Sequence, residues 1–242
     1  MQRARAAGGR VSVVWITSGD GSVLSMLIAR KTVLASREKV RDLAQERMQE
    51  ARAATSLLGV SSTQQFFLGY PDGRIFRLLH DNPSVLHGAK FTGETHVPYP
   101  DAVFPGHPYA GESLERDFQT LLERIHPTLV LAPSARDTHP DHSASGLLAA
   151  RAIARCGNCA ELRVWIVHDG EGWPSPRGLM PSIPLGAPTP SAAGGPWVPF
   201  SLTEDEVTRK RDAIQAYYTQ MQVMAPFLLS FVRTTELYSA GP

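Results

Sequence analysis

Short β-branched runs that alternate with segments of helical period leave this chain few folds to choose from. Val11 to Thr17 (VSVVWIT) is apolar and closes on Ser18-Gly19-Asp20-Gly21, as a buried strand running into a loop would. From about Ser36 to Leu58, residues Val40, Leu43, Ala44, Ala51, Ala54 and Leu58 recur at helical spacing with charges between them, and Gly59 supplies a stop. Gln65 to Leu68 predicts a second strand, ended by the turn Gly-Tyr-Pro-Asp-Gly. Ser113 to Ile125 reads as a helix capped by Ser113, Thr128 to Ala132 as a strand, Ala144 to Ala154 as a helix and Leu162 to Val167 as a strand. Thr203 opens a last amphipathic helix to Tyr218, with Glu206 three residues on in a capping-box pattern; Met221 to Phe231 extends it past a kink at Pro226. Strands alternating with helices predict an α/β protein, a Rossmann-like three-layer sandwich around a mostly parallel sheet. The segments Arg74 to Gly111 and Gly170 to Pro199, rich in proline and glycine, predict long loops that shape a pocket.

A chain of 242 residues suits one such domain, spanning 1–242, with core enough to fold without a disulfide or a structural metal. A net charge of +1 gives no basic stripe, which speaks against a nucleic-acid partner. No apolar stretch reaches the roughly 18 residues of a membrane span. Arg3, Arg5 and Arg10 are not followed by a signal-peptide core, so a cytoplasmic protein is expected. Whether it forms a homo-oligomer is open. The only cysteines, Cys156 and Cys159, follow the apolar run Leu147 to Ile153; they read as a helix end rather than a metal or redox site.

In a parallel sheet, the loops after the C-terminal strand ends form the crevice. Three polar segments fall there: Ser18-Gly19-Asp20, Tyr70-Pro71-Asp72 and Asp137-Thr138-His139-Pro140-Asp141-His142. Two imidazoles three residues apart, stiffened by Pro140 and flanked by carboxylates, can place one nitrogen on a metal and another beside a substrate. The same residues also read as a polar loop that caps the following helix, with Asp141 favoured by its dipole. Spacing alone leaves both readings open. His168, at the end of a predicted strand, lies on the same crevice edge. Histidines 80, 87, 96, 107 and 126 lack ligand spacing and read as surface or loop residues.

An ordered set of segments resembles the PIG-L/LmbE family of zinc-dependent de-N-acetylases. The set comprises VVWITSGDG, then Arg47, Glu50 and Ala51 before LLGV, then FFLGYPDG, then PTLVLAPSARDTHPDH, and finally KRDAIQAYYTQ with FLLSFVRTTELY. By that resemblance His142 is a zinc ligand. His139 faces the substrate, polarising the amide carbonyl or protonating the leaving amine, and Asp141 accepts a hydrogen bond from His139. Asp20, Arg47, Asp72 and His168 line the pocket. The substrate implied is an N-acetylated sugar of the N-acetylglucosaminyl type, a glycoconjugate or a similar small amide.

The family also carries an earlier HPDDE-type motif after its first strand, which supplies a His and an Asp to the metal and a second Asp as base. This sequence has none; MQRARAAGGR resembles only the tail of the helix that follows the motif, so Val11 to Thr17 corresponds to the family's second strand. The expected domain is thus N-terminally incomplete, with strand edges left unpaired and a zinc site short of the usual three ligands. Three explanations are open: a start internal to a longer gene, a truncated paralogue that binds a small molecule or regulates without hydrolysis, or a rebuilt metal site using Asp20 and Asp137.

Overall fold

The computed structural model describes residues 1–21, 28, 36–170, 172–188 and 196–240. A short helix α1 (Gln2–Ala6) leads into strand β1 (Val13–Thr17). Arg3 fixes α1 by donating to both Glu206 carboxylate oxygens at 2.7 Å. Helix α2 (Arg37–Leu57) starts where Ser36 accepts from the Lys39 N–H, and the chain leaves it at Gly59, whose φ of 84° needs a residue without a Cβ. Its inner face buries Val40, Leu43, Ala44, Met48, Ala51 and Ala54. Strand β2 (Gln65–Tyr70) is buried throughout and runs parallel to β1, with Trp15 stacked on Phe67 at 4.3 Å.

The segment after Tyr70 is less irregular than expected, since Ile75–His80 forms a short helix α3 that buries Ile75, Leu78 and Leu79. Helix α4 (Gly111–Ile125) begins two residues before Ser113, which sits buried inside it; the N-cap is Ala110 and has no side-chain cap bond. Strand β3 (Leu129–Pro133), helix α5 (Pro140–Arg155) and strand β4 (Glu161–Trp165) follow. Strand β5 (Val198–Ser201) lies within the stretch read as loop, of which residues 171 and 189–195 are outside the described residues. Helix α6 (Glu204–Gln215) carries the expected Thr203/Glu206 capping box, and α7 (Tyr218–Leu229) breaks at Met224, ahead of Pro226. Strand β6 (Thr235–Ala240) closes the fold. Cys156 and Cys159 form a disulfide at the C-terminal end of α5. Among the described residues no helix is long and apolar enough to cross a membrane.

The α/β architecture is as expected, but one continuous, mostly parallel sheet is not what forms. The strands divide into a pair, β1–β2, and a four-stranded sheet ordered β3–β4–β6–β5. β1–β2 and β3–β4 are parallel, whereas β6 runs antiparallel to both β4 and β5. The break separates the β1–β2 pair from the sheet that holds β3. Among the described residues β1 and β3 each pair on one side only. Leu129 and Leu131 of β3, the edge strand of the four-stranded sheet, are 47% and 44% exposed.

Helices bridge the break. Ala144 and Leu148 of α5 share a core with Ala44, Met48, Phe67, Leu68, Ile75 and Leu114. A buried carboxylate adds a second brace, since Asp141 at the start of α5 accepts from the Gly73 and Ile75 N–H groups beyond β2. Gly146 lets α5 lie against the end of β3, because a Cβ there would meet the Pro133 carbonyl oxygen and the backbone of Ser134 and Ala135. Gly146→Ala is therefore expected to cost about 1–3 kcal/mol, since overpacking against backbone cannot relax by rotamer change. Thermal unfolding should show a Tm several degrees lower.

Candidate metal centre at the strand ends

The loops after β3 and β4 are zipped together. Ser134 N–H donates to the Trp165 carbonyl at 2.6 Å and Thr138 N–H to the His168 carbonyl at 3.1 Å. Between them lies Asp137, its side chain wholly buried. One oxygen, Oδ1, accepts the His139 N–H at 2.9 Å, an Asx turn that aims the next residues outward. The other, Oδ2, accepts the N–H groups of Val167 and His168 at 2.9 and 3.1 Å, with His142 Nδ1 at 3.3 Å. His168 Nδ1 stands 3.4 Å from Oδ1, an ion-pair distance at which alignment is too poor for a hydrogen bond. Burial alone would raise the Asp137 pKa. The His142 bond, the nearby His168 ring and the backbone N–H groups overcome it and hold the group well below the usual carboxylate range, so Asp137 is charged.

Three imidazoles crowd this one anion. The rings of His139 and His142, His142 and His168, and His139 and His168 lie 4.6, 4.9 and 5.3 Å apart. Burial, then repulsion from His142 and His168, lowers the His139 pKa, which favours the neutral ring; its Nδ1 is buried without a partner. Asp137, His142 and His168 can each offer one atom to a metal ion, all within 4.8 Å of one another. Nitrogen and oxygen donors in that number suit zinc or a similar divalent ion. The residues therefore fit a metal. Because three backbone N–H groups already occupy Asp137, its better use is behind the imidazoles. There it faces Nδ1 of both His142 and His168.

A second group of carboxylates borders the histidines. Asp72 N–H donates to Asp20 Oδ1 at 2.8 Å, and Gly21 N–H returns a bond to Asp72 Oδ2 at 3.1 Å. Burial pushes Asp20 up to about 6, helped by the Asp72 charge. Asp141 also rises to about 6, first through burial and then through the nearby Asp72. Arg47 offsets this charge from α2. It is 7% exposed, not a solvated helix charge, and donates to the Gly19 carbonyl at 2.5 Å, with Nε unpartnered.

The sequence-predicted residues thus come together: His139, His142 and His168 around Asp137, with Asp141, Asp72, Asp20 and Arg47 beside them. Two expectations need correction. Asp141 does not receive a bond from His139, because as the second residue of α5 it is taken up by the Gly73 and Ile75 N–H groups. Asp20 does not join a rebuilt ligand set; it is bound to Asp72, and the third donor is His168. Asp137 carries more of the structure than its place in the motif suggests; an Asx residue two positions before a histidine at a helix start is the visible signal.

The site is a histidine–carboxylate centre at the strand ends of a mixed α/β fold. More narrowly, the chain belongs to the PIG-L family, described as GlcNAc-PI de-N-acetylase, whose model matches residues 1–153. No curated protein matches it. Among solved structures, the A40926 pseudoaglycone deacetylase Dbv21 is similar at 18% identity, with 99% of this chain and 88% of that one covered and a TM-score of 0.61. A deacetylase triple mutant of the teicoplanin pathway aligns at 16% identity, over 98% and 87%, with TM-score 0.58. N,N'-diacetylchitobiose deacetylase from Pyrococcus horikoshii aligns at 17%, over 100% and 76%, with TM-score 0.57. At such identities the likeness establishes the fold.

Asp20 holds its proton more tightly folded than unfolded, so stability falls as pH rises from about 4 through about 6 and is level above that. A shift of this size corresponds to about 3 kcal/mol. Asp20→Asn keeps the acceptor for the Asp72 N–H. It is expected to leave Tm nearly unchanged near pH 4 and to raise it by several degrees at pH 7–8. Melting curves across that range check the widening difference.

Proposed function

We propose that the chain is a metal-dependent hydrolase that removes the acetyl group from an N-acetylated sugar of the N-acetylglucosaminyl type, or from a similar small amide, in the cytoplasm. The observation that carries this reading is the gathering of His139, His142 and His168 around the single buried carboxylate of Asp137 at the strand ends of a PIG-L family chain. Zinc is the metal proposed, with His142 and His168 as its imidazole ligands and Asp137 as the group that orients them or completes the set. When bound, such an ion activates a water and polarises an amide carbonyl.

The chain's own residues then divide the remaining work. His139, neutral near pH 7 because of burial and its imidazole neighbours, presents a ring that can hold a proton for the leaving amine or donate to the oxyanion. Asp20 and Asp141, both pushed up to about 6 chiefly by burial, could take a proton from water near that pH. Asp141 acts as a positioning residue too, tying the start of α5 to the loop after β2. Arg47, Asp20 and Asp72 offer donors and acceptors to sugar hydroxyls. The second reading is a small-molecule-binding or regulatory protein on the same fold, without turnover.

Zinc analysis of the purified chain together with acetate release from N-acetylglucosamine separates the two. The enzyme reading expects about one zinc per chain and measurable acetate. His142→Ala should lose the zinc and the activity together. His139→Ala should keep the zinc and lose roughly 100-fold or more in rate, the range for a removed general acid–base group. Absence of both zinc and acetate release in the unaltered chain would overturn the enzyme reading in favour of the second.

A further inference from the structure

The disulfide between Cys156 and Cys159 lies at the far end of α5 from the histidine centre, and the reaction proposed above makes no use of it. A helix of 16 residues sets the two about 24 Å apart. The bridge does little for the fold. It joins residues only three apart in sequence, and the restraint a disulfide puts on the unfolded chain grows with the loop it closes. The turn it spans is already held by its backbone. Gly157, at φ 73°, donates its N–H to the Ala154 carbonyl at 3.1 Å, and the Asn158 N–H donates to the Ile153 carbonyl at 2.9 Å. Those two bonds are the pair that closes a Schellman turn, so the end of α5 is capped whether or not the sulfurs are joined.

The two sulfurs are unlike. Cys159 is exposed, as are Gly157 and Asn158 before it. Cys156 is half-buried and packs on the cluster of Leu122, Ala152 and Ile153. Its Sγ stands 3.1 Å from the Ile153 carbonyl oxygen, which is an acceptor in place for a Cys156 thiol once the bridge opens. The carbonyl end of α5 disfavours a thiolate there, the reverse of the helix start that activates a dithiol oxidoreductase. Cys156 therefore suits the part of a released, protonated thiol, and Cys159 the part of the sulfur that is attacked. A shallow cleft of about 420 Å³ opens beside the turn, lined by Ile153, Asn158, Ala160, Leu162 and the paired side chains of Glu161 and Arg163. It gives the body of a small molecule somewhere to rest while its sulfur reaches Cys159.

We propose that Cys159 is a site of reversible modification by a low-molecular-weight thiol, with Cys156 as the sulfur it displaces. The thiolate of the small thiol attacks Cys159 Sγ and forms a new S–S bond there. The Cys156–Cys159 bond breaks, and Cys156 leaves with the electron pair and takes up the proton that the attacking thiol gave up. One disulfide and one thiol become one mixed disulfide and one thiol, so no outside oxidant is needed. Return of Cys156 onto Cys159 expels the small thiol and restores the bridge. Because Cys156 rests as a thiol against the Ile153 carbonyl, that return is slow and the mixed disulfide persists. The modification leaves the fold intact, since the Schellman turn and not the bridge ends the helix.

The full chain, with its bridge formed, is incubated with reduced glutathione near neutral pH, quenched with N-ethylmaleimide and read by peptide mass. The expected product carries one glutathione on Cys159 and one maleimide on Cys156. In a second arm, single variants are treated with oxidised glutathione. Cys156→Ser is expected to take up one glutathione at Cys159, and Cys159→Ser to react at least tenfold more slowly at the half-buried Cys156. The double serine variant should melt within a few degrees of the unaltered chain, as a bridge across so short a loop implies. Glutathione on Cys156, equal rates for the two single variants, or maleimide on both cysteines with no mixed disulfide would each overturn the assignment. A bridge that opens only in denaturant, or a double variant that fails to fold, would overturn it too, because the disulfide would then be a structural staple. All of these readouts are masses, rates and melting points, so they hold whether or not the histidine centre hydrolyses anything.

Discussion

One buried carboxylate organises this site. Asp137 accepts three backbone N–H groups from two different loops and faces Nδ1 of two histidines, so its charge is neutralised by donors rather than by a lysine or arginine. Hydrogen bonds to a charged group contribute about 1.5–3 kcal/mol each, and removing the acceptor would strand donors that water cannot reach. The loops after β3 and β4 therefore have one arrangement available. The three imidazoles inherit their spacing from it.

The rest of the fold serves to hold that arrangement in place despite a divided sheet. Among the described residues β1 and β3 each lack a neighbour on one side, and an unpaired strand edge is a weak point. Continuity comes from helices instead. Packing of α5 across to the β2 and α3 core, the Asp141 bonds to Gly73 and Ile75, and the Glu50 carboxylate, which accepts from both the N–H and the hydroxyl of Thr219, span the gap between N-terminal and C-terminal parts. The cost of gathering carboxylates this way is visible in Asp20 and Asp141, both pushed up to about 6. A site that raises its own acids is less stable and better able to move protons near neutral pH.

Much of this was legible in the residues. The alternation of β-branched runs with helical-period segments placed β1, β2, β3 and β4 and the main helices to within a few residues, and Thr203 with Glu206 marked the start of α6 without ambiguity. Convergence of the Asp20, Asp72 and His139 loops followed from topology alone. The misses have physical causes. Strand β5 has every residue exposed, so it carries no apolar alternation to read, and β6 follows a kinked helix whose apolar run masks the change of period. Ser113 looked like a cap because it precedes charged residues, but Gly111 and its close approach to the Leu78 carbonyl set the helix start instead. The bond assigned from His139 to Asp141 failed because a residue in the first turn of a helix can reach back to a neighbouring loop, a tertiary fact that spacing does not encode. Likewise the burial of Arg47 depends on the loop after β1 folding over it.

That Asp137 fixes the ring orientation of the histidines is open to direct measurement. Long-range proton–nitrogen NMR of the histidine side chains, recorded near pH 7.5 with and without added zinc, reports which ring nitrogen carries the proton. His142 is expected in the form protonated at Nδ1, facing the carboxylate at 3.3 Å, with its Nε2 resonance and that of His168 shifting on zinc addition. A proton on Nε2 of His142, or zinc shifts confined to other histidines, would contradict the role given to Asp137 and the centre built around it.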